Sequence, residues 1–336
     1  MTPAINHQWR LAARPNGLPK PSDWHFTSEA PPVPGPGAVL VQVLYLSLDP
    51  AMRGWMNEGK SYVPPVGIGE VMRALGLGRV VASNDPSLAV GDHVVGITGV
   101  QDYAVLPAKE ATRIDPALAP LPTWLGVLGM PGMTAYFGLL DVGQPKPGET
   151  VVVSGAAGAV GGLVGQIAKL KGCRVIGIAG GADKCRYVVD ELGFDGVIDY
   201  KAEDVRKGLR ALAPKGVDVY FDNVGGDILD TVLAQLARGA RIAICGAISQ
   251  YNSTEGVKGP ANYMSLLVNR ARMQGFVVFD YAARYGEAAR DIAGWIAEGK
   301  VKAREDVAVG LENFPATLLK LFKGENFGKL VLKVAD

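Results

Sequence analysis

The apolar positions change their spacing about a third of the way along the chain. Up to residue 125 they come in short runs broken by proline and glycine, at 38–46, 78–82, 93–98 and 101–106. Runs of that length between turn residues predict strands, and a set of them without a helical period predicts an antiparallel, barrel-like domain. The Pro-rich stretch 30–37 reads as a rigid turn into the first good strand. Beyond residue 125 the texture differs. A helix is expected to end near Gly138 and Leu139, and a Pro-Lys-Pro-Gly turn leads into Thr150-Val-Val-Val-Ser154. This run does not alternate, which suits a strand buried on both faces. Five further apolar runs, at 174–179, 196–200, 217–222, 240–245 and 272–280, are separated by helical stretches. Six strands alternating with helices predict a doubly wound parallel sheet, giving an α/β architecture. A last strand-like run, 328–334, returns to the first domain. The expected organisation is a first domain over 1–125, a second over 126–305, and a return segment over 306–336.

Composition narrows the partners. The 336 residues carry 34 basic and 33 acidic side chains, a net charge of +1, and no Lys/Arg block stands out. No footprint for nucleic acid is visible, and small neutral molecules fit better. The apolar runs are strand-sized, far short of the about 20 residues of a membrane span. Residues 1–10 include Asn6, His7, Gln8 and Arg10 and lack the apolar stretch of a secretory leader, so a cytoplasmic location is expected. Cys173, Cys185 and Cys245 are an odd set without paired spacing, which predicts no disulfide framework. His7, His25 and His93 lie far from them in the sequence, so no metal site, and no zinc, is expected.

The sharpest feature is Ser154-Gly-Ala-Ala-Gly-Ala-Val-Gly161, directly after a buried strand and before the helical pattern 162–170. It is a dinucleotide fingerprint with Ala156 in place of the first glycine. Gly158 would let backbone N–H groups approach a pyrophosphate at a helix N-terminus, and Gly161 would allow close packing of helix on strand. An acid at the end of the second strand would select NAD by binding the ribose 2′-hydroxyl, but Ala179, Gly180 and Gly181 stand there. NADPH is therefore expected, with Lys184, read as the start of the next helix, as a counter-charge for the 2′-phosphate. Asp183 is the competing signal, and its alternative role is to cap that helix.

These strings resemble the zinc-independent, prostaglandin/leukotriene reductase-like branch of the medium-chain dehydrogenase/reductase family, which includes curcumin reductases and plant alkenal double-bond reductases. The resemblance spans nearly the whole chain. Its carriers are Tyr45-Leu-Ser-Leu-Asp-Pro50, Met52-Arg-Gly54, Gly129-Met-Pro-Gly-Met-Thr-Ala-Tyr-Phe-Gly138, Phe221-Asp-Asn-Val-Gly-Gly226, Cys245-Gly-Ala-Ile-Ser-Gln-Tyr-Asn252, Gln274-Gly-Phe-Val-Val278 and Asn326-Phe-Gly-Lys329. It implies a GroES-like β-barrel catalytic domain, a Rossmann six-stranded domain, and a homodimer formed along the sixth-strand edge. Carried over by position, Gly158, Ala159, Val160 and Gly161 would hold the pyrophosphate. Lys184 and Tyr200 would take the adenosine phosphate end, and Asn223 a ribose or phosphate group. The nicotinamide half would be wrapped by Cys245, Gly246, Ala247, Ile248, Ser249, Gln250 and Tyr251, and by Phe276, Val277 and Val278. Asn326 would reach in from the C-terminal segment. Met130 would line the substrate pocket. Ala51 stands where many relatives have an aromatic, and Tyr62 is a candidate to fill the vacated space or an ordinary loop tyrosine. Arg53 and Trp55 stay open between pocket and packing.

The implied chemistry is conjugate reduction. Hydride from NADPH would reach the β-carbon of an α,β-unsaturated ketone or aldehyde, and the resulting enolate would need a hydrogen-bond donor. Tyr251 is the candidate, because a phenol with an ordinary pKa near 10 can donate to an enolate. Quinone reduction remains an alternative for the same apolar site, as does NADPH binding without turnover.

Overall fold

A computed structural model describes residues 5–336. Seven strands form before residue 115: β1 (Asn6–Leu11), β2 (Trp24–Glu29), β3 (Ala38–Ser47), β4 (Leu75–Ser83), β5 (His93–Ile97), β6 (Tyr103–Pro107) and β7 (Thr112–Ile114). Six follow in the middle of the chain: β8 (Thr150–Ser154), β9 (Arg174–Ala179), β10 (Gly196–Asp199), β11 (Val217–Asp222), β12 (Leu236–Ile244) and β13 (Arg272–Gly275). Two close it, β14 (Glu305–Val309) and β15 (Lys329–Lys333). The chain divides into two compact units, the described residues up to Leu125 together with Glu305–Asp336, and Gly126–Arg304.

The first unit is GroES-like. Its main sheet runs β14-β15-β3-β4-β5-β7, with β6 also on β3, and β1 and β2 pair separately and antiparallel. The return strand β15 runs antiparallel to β3 and parallel to β14, so the last residues of the chain complete a sheet begun by the first. Leu46, Leu48, Met52, Met56, Phe314, Leu318 and Leu330 share one core, each at most 1% exposed. Apolar residues from both ends of the chain are thereby removed from water together, each contributing on the order of 1.5–3 kcal/mol. Lys329 is the exception within this apolar strand. It is 2% exposed, and its ammonium donates to Leu48 O at 2.9 Å and Asp49 Oδ1 at 2.7 Å.

The second unit is a Rossmann-type sheet with order β10-β9-β8-β11-β12-β13, all parallel. Strand order reverses between β8 and β11, so their carboxyl ends, Ser154 and Asp222, flank the crevice where such sheets bind ligands. Val151, Val152 and Val153 are completely buried, as the unalternating run predicts.

Several boundaries differ from the sequence expectation. The sixth strand stops at Gly275 instead of reaching 280, and Val278–Arg284 forms 3-10 turns. Side chains pull the backbone out of line there: Tyr285 O–H donates to Val278 O at 3.0 Å, and Tyr281 stacks on Phe137 at 4.7 Å. The fifth strand begins four residues earlier than read, at Leu236. The helix Met130–Phe137 does not end at Gly138 but loosens into a π-turn through Gly143. The helix after β9 starts at Ala182, not at Lys184. Gly181, with φ +96°, precedes it, so Asp183 lies inside the first turn, where it pairs with Arg186 instead of capping.

Candidate active site

The loop after β8 is built by exclusion. Gly155 takes φ +63°, so the tight turn is made one residue before the fingerprint position occupied by Ala156. Ala156 can then be fully buried, its N–H donating to Ile178 O of β9 at 3.1 Å, and its methyl costs nothing that a glycine there would save. Gly158 caps the helix Ala159–Leu170 in an extended conformation, and Gly162 N–H donates to its carbonyl at 3.0 Å. A Cβ on Gly161 would overlap the Gly155 carbonyl oxygen, with its carbon at 2.9 Å. The helix is therefore seated against the turn, leaving Gly158, Ala159 and Val160 only half-buried at its N-terminus. No acidic side chain stands in its first turn. Unpaired N–H groups and the positive end of the helix dipole make this a fitting cradle for a pyrophosphate.

At the neighbouring strand end, Tyr200 covers Gly180: a Cβ at 180 would lie 2.7 Å from its ring. A side chain at that position would have to displace the Tyr200 ring. The acid that is present, Asp199, spends Oδ1 on Gly181 N–H at 2.8 Å and Lys201 N–H at 3.0 Å. Lys184 is half-buried on the following helix, and Tyr200 is 45% exposed.

Across the switch point, Asn223 is tied to β8 twice. Its N–H donates to Ser154 Oγ at 2.9 Å and its Nδ2 to Ser154 O at 2.7 Å. Cys245 and Gly246 N–H donate to Asp222 O at 2.9 and 3.1 Å, which anchors the loop after β12. Ile248 and Ser249 N–H continue the anchoring on Asn223 O and Val224 O at 3.3 and 3.1 Å. Within this loop Ala247 N–H donates to the Tyr251 hydroxyl oxygen at 3.1 Å, so the phenol is folded back over residues 246–247. Gln250 closes the turn with an N–H bond to Ala247 O at 2.8 Å. Burial first, and the Asp222 carboxylate second, push the Cys245 thiol up to about 12. The residue is a neutral thiol at physiological pH and no nucleophile.

Phe276 fills the space above Gly138 and meets Phe221 edge-on at 6.1 Å, while Val277 and Val278 are half-buried in the turn that replaces the end of the sixth strand. Met130 opens its helix, with its sulfur 3.6 Å from the Tyr285 hydroxyl oxygen. The fold of the second unit thus draws residues 158–161, Asn223 and 245–251 around the ends of β8, β11 and β12, with Lys184 and Tyr200 beyond β9.

Three candidates belong to the first unit. Ala51 begins the short helix Ala51–Trp55, Tyr62 is 54% exposed in the following loop, and Asn326 Nδ2 donates to Gly328 O at 3.1 Å in the turn before β15. Arg53 is settled as a packing residue: it is 3% exposed and donates to Pro15 O and Gly17 O at 3.0 Å and to Asn57 Oδ1 at 2.5 Å. Among the described residues no three His, Cys, Asp or Glu side chains converge to hold a metal ion. Sequence reasoning passed over Ser154, Tyr220 and Asp222, which hold the centre of the site together. Ser154 and Asp222 each end an apolar run, but nothing in the sequence shows those two strands to be neighbours.

Comparison with known proteins places this geometry. Residues 7–114 match the family described as N-terminal domain of oxidoreductase, and residues 159–294 the family described as zinc-binding dehydrogenase. The chain is 48% identical over 336 residues to an NADPH-dependent curcumin reductase of Escherichia coli, covering 98% of this chain and 97% of the relative. It is 44% identical over 337 residues to a 2-alkenal reductase (NADP(+)-dependent) of Nicotiana tabacum, covering 98% of each. The crystal structure of CurA in complex with NADPH from Vibrio vulnificus superposes with a TM-score of 0.94 at 48% identity, covering 98% of this chain and 99% of that one. The chain belongs to the medium-chain dehydrogenase/reductase family, in its zinc-independent, prostaglandin/leukotriene reductase-like branch.

Proposed function

We infer that this protein is an NADPH-dependent oxidoreductase that reduces the carbon–carbon double bond of α,β-unsaturated ketones and aldehydes. The observation that carries it is the glycine cradle 155–161 at a helix N-terminus, in a chain related over its full length to NADPH-dependent reductases of such compounds. NADPH, when bound, supplies the hydride that adds to the β-carbon.

Every other task falls to the chain. Gly158, Ala159, Val160 and Gly161 hold the pyrophosphate. Lys184 and Tyr200 take the 2′-phosphate end, where Ala179, Gly180 and Gly181 offer no NAD-selecting acid. Asn223, its amide fixed on Ser154, orients a ribose or phosphate group. Residues 245–251 and 276–278 enclose the nicotinamide half. The Tyr251 hydroxyl, held over residues 246–247 by the Ala247 N–H, is the donor to the enolate oxygen. That donation replaces a Lewis acid. Met130 lines the substrate pocket.

The outer edge of β13 and the adjoining helix expose Tyr263, Met264, Leu267, Val268 and Met273 between 38 and 70%. An apolar patch beside an open strand edge suits a second copy of the chain, giving a homodimer. Light scattering at twice the chain mass is the expected result. Among the described residues no helix is long and apolar enough to cross a membrane, and the three cysteines are free thiols, which suits a reducing cytoplasm.

The test is a spectrophotometric screen of NADPH against NADH with alkenals, cyclic enones and quinones. NADPH should be consumed with alkenals and enones, yielding saturated carbonyl products, and NADH should be used poorly. Turnover confined to quinones would replace enone reduction with quinone reduction; tight binding without oxidation of NADPH would reduce the protein to a nucleotide binder.

A further inference from the structure

Asp222 ends β11 with no exposed surface, at the switch point of the sheet. Four donors converge on its Oδ1: Tyr220 O–H at 2.8 Å, Gly225 N–H at 2.9 Å, and Ser154 O–H and Val224 N–H at 3.0 Å. Its Oδ2 is equally buried and has no partner. Two of these four donors are backbone amides, which can only donate, and all four converge on one oxygen, an arrangement that suits a carboxylate anion. A buried anion is costly unless its surroundings are organised for it, and here two side-chain hydroxyls and two backbone amides are.

Its position gives the charge a use. In a doubly wound sheet one nucleotide half lies over the strands before the switch point and the other over those after it. Asp222 stands at the head of the second group, and its carbonyl oxygen holds Cys245 and Gly246, which begin the loop to Tyr251. Hydride donation breaks a C4–H bond, sends the electron pair with the hydrogen to the substrate, and leaves a cationic ring where a neutral one stood. A fixed anion under that half of the site lowers the free energy of the cationic form and leaves the neutral form little changed.

We propose that Asp222 is a buried counter-anion that favours the oxidised coenzyme over the reduced one in the bound state. It is a positioning residue acting by its field and touches no substrate. The proposal rests on the reading that NADP(H) occupies this site.

The test compares dissociation constants of NADP⁺ and NADPH, by calorimetry and by nicotinamide fluorescence, for wild type, Asp222→Asn and Tyr220→Phe. Asn is isosteric and keeps an acceptor at the Oδ1 position, while its amide replaces the unpartnered oxygen. In Asp222→Asn the ratio Kd(NADP⁺)/Kd(NADPH) should rise by about threefold or more. Tyr220→Phe removes a donor and leaves the carboxylate less neutralised, so the ratio should fall. Opposite movement in the two variants is the signature, because loosening of the loop would weaken both nucleotides alike. Equal weakening of both nucleotides in Asp222→Asn overturns the proposal, as does a ratio that falls; should that variant not fold, an unchanged or rising ratio in Tyr220→Phe overturns it. If wild type binds neither nucleotide, the proposed function itself fails along with it, whereas a failure of the ratio alone leaves that function standing.

Discussion

Tyr251 and Gly161 are the positions where single atoms decide most. Tyr251→Phe removes the donor proposed for the enolate, so kcat with a cyclic enone should fall by on the order of tenfold or more. The same oxygen accepts a neutral backbone bond from Ala247, a modest contribution to the loop, so the Kd for NADPH should move by less than about fivefold. Unchanged turnover with several enones would remove Tyr251 from the mechanism. Gly161→Val drives a side chain into the Gly155 carbonyl, and fluorescence titration should show NADPH affinity lost by more than about tenfold, with stability down by about 1–3 kcal/mol. Affinity retained in that variant would mean the helix need not sit against the turn. Much of this was legible in the sequence, since the spacing of Gly158 and Gly161 after an apolar strand names the cradle. The conformation of Gly155 was not, because the fingerprint assigns the turn to the next position and only φ shows that it has moved. Asp183 misled for a related reason: a side chain that can cap a helix does so only if the chain starts the helix there, and Gly181 starts it two residues earlier.

Among the elements, the buried parallel strands were the most legible and the polar ones the least. Apolar runs mark β8, β9 and most of β11, whereas Asn-His-Gln-Trp-Arg-Leu of β1, Trp-His-Phe-Thr-Ser-Glu of β2 and Glu-Asp-Val-Ala-Val of β14 carry no sustained apolar pattern. Their strand state comes from partners distant in sequence, which a local pattern does not contain. Lys329 is the sharpest case, a charged residue inside the buried face of β15 whose partner, Asp49, lies 280 positions away. Removing it should leave Asp49, 30% exposed, without its counter-charge. Urea unfolding of Lys329→Met should report a loss of about 1–3 kcal/mol, less than for a wholly buried pair, and Lys333→Met on the same strand should report nearly none. Equal effects of the two substitutions would deny the buried pair its structural role.

For the molecule as a whole, two units with separate cores set the terms of stability, and acid is the condition that probes the second. Burial raises the Glu149 carboxyl, but the hydrogen bonds and charge of Arg241 and the Lys146 N–H outweigh it and hold the group below the usual carboxylate range. Asp195 is held low in the same way by Lys169 and Val175 N–H against its burial. A depressed carboxylate stabilises the fold above its unfolded pKa and loses that contribution as pH falls through the folded value. Unfolding free energy should therefore be flat from neutral pH to about pH 5 and fall below it. Glu149→Gln should be less stable than wild type at neutral pH, and the gap should narrow at about pH 3; a constant gap would remove the ion pair from the acid response. The two-unit plan and the parallel sheet could be read from the alternation of runs. The hub of Ser154, Tyr220 and Asp222 could not, because β8 and β11 are adjacent only after the sheet has reversed its order. The central claim, hydride delivery to a β-carbon, is tested most directly with NADPH deuterated at C4 on the transferred face and an α,β-unsaturated ketone, with the product read by NMR. The account predicts one deuterium at the β-carbon of a saturated ketone. Deuterium on the carbinol carbon of an unsaturated alcohol would contradict it.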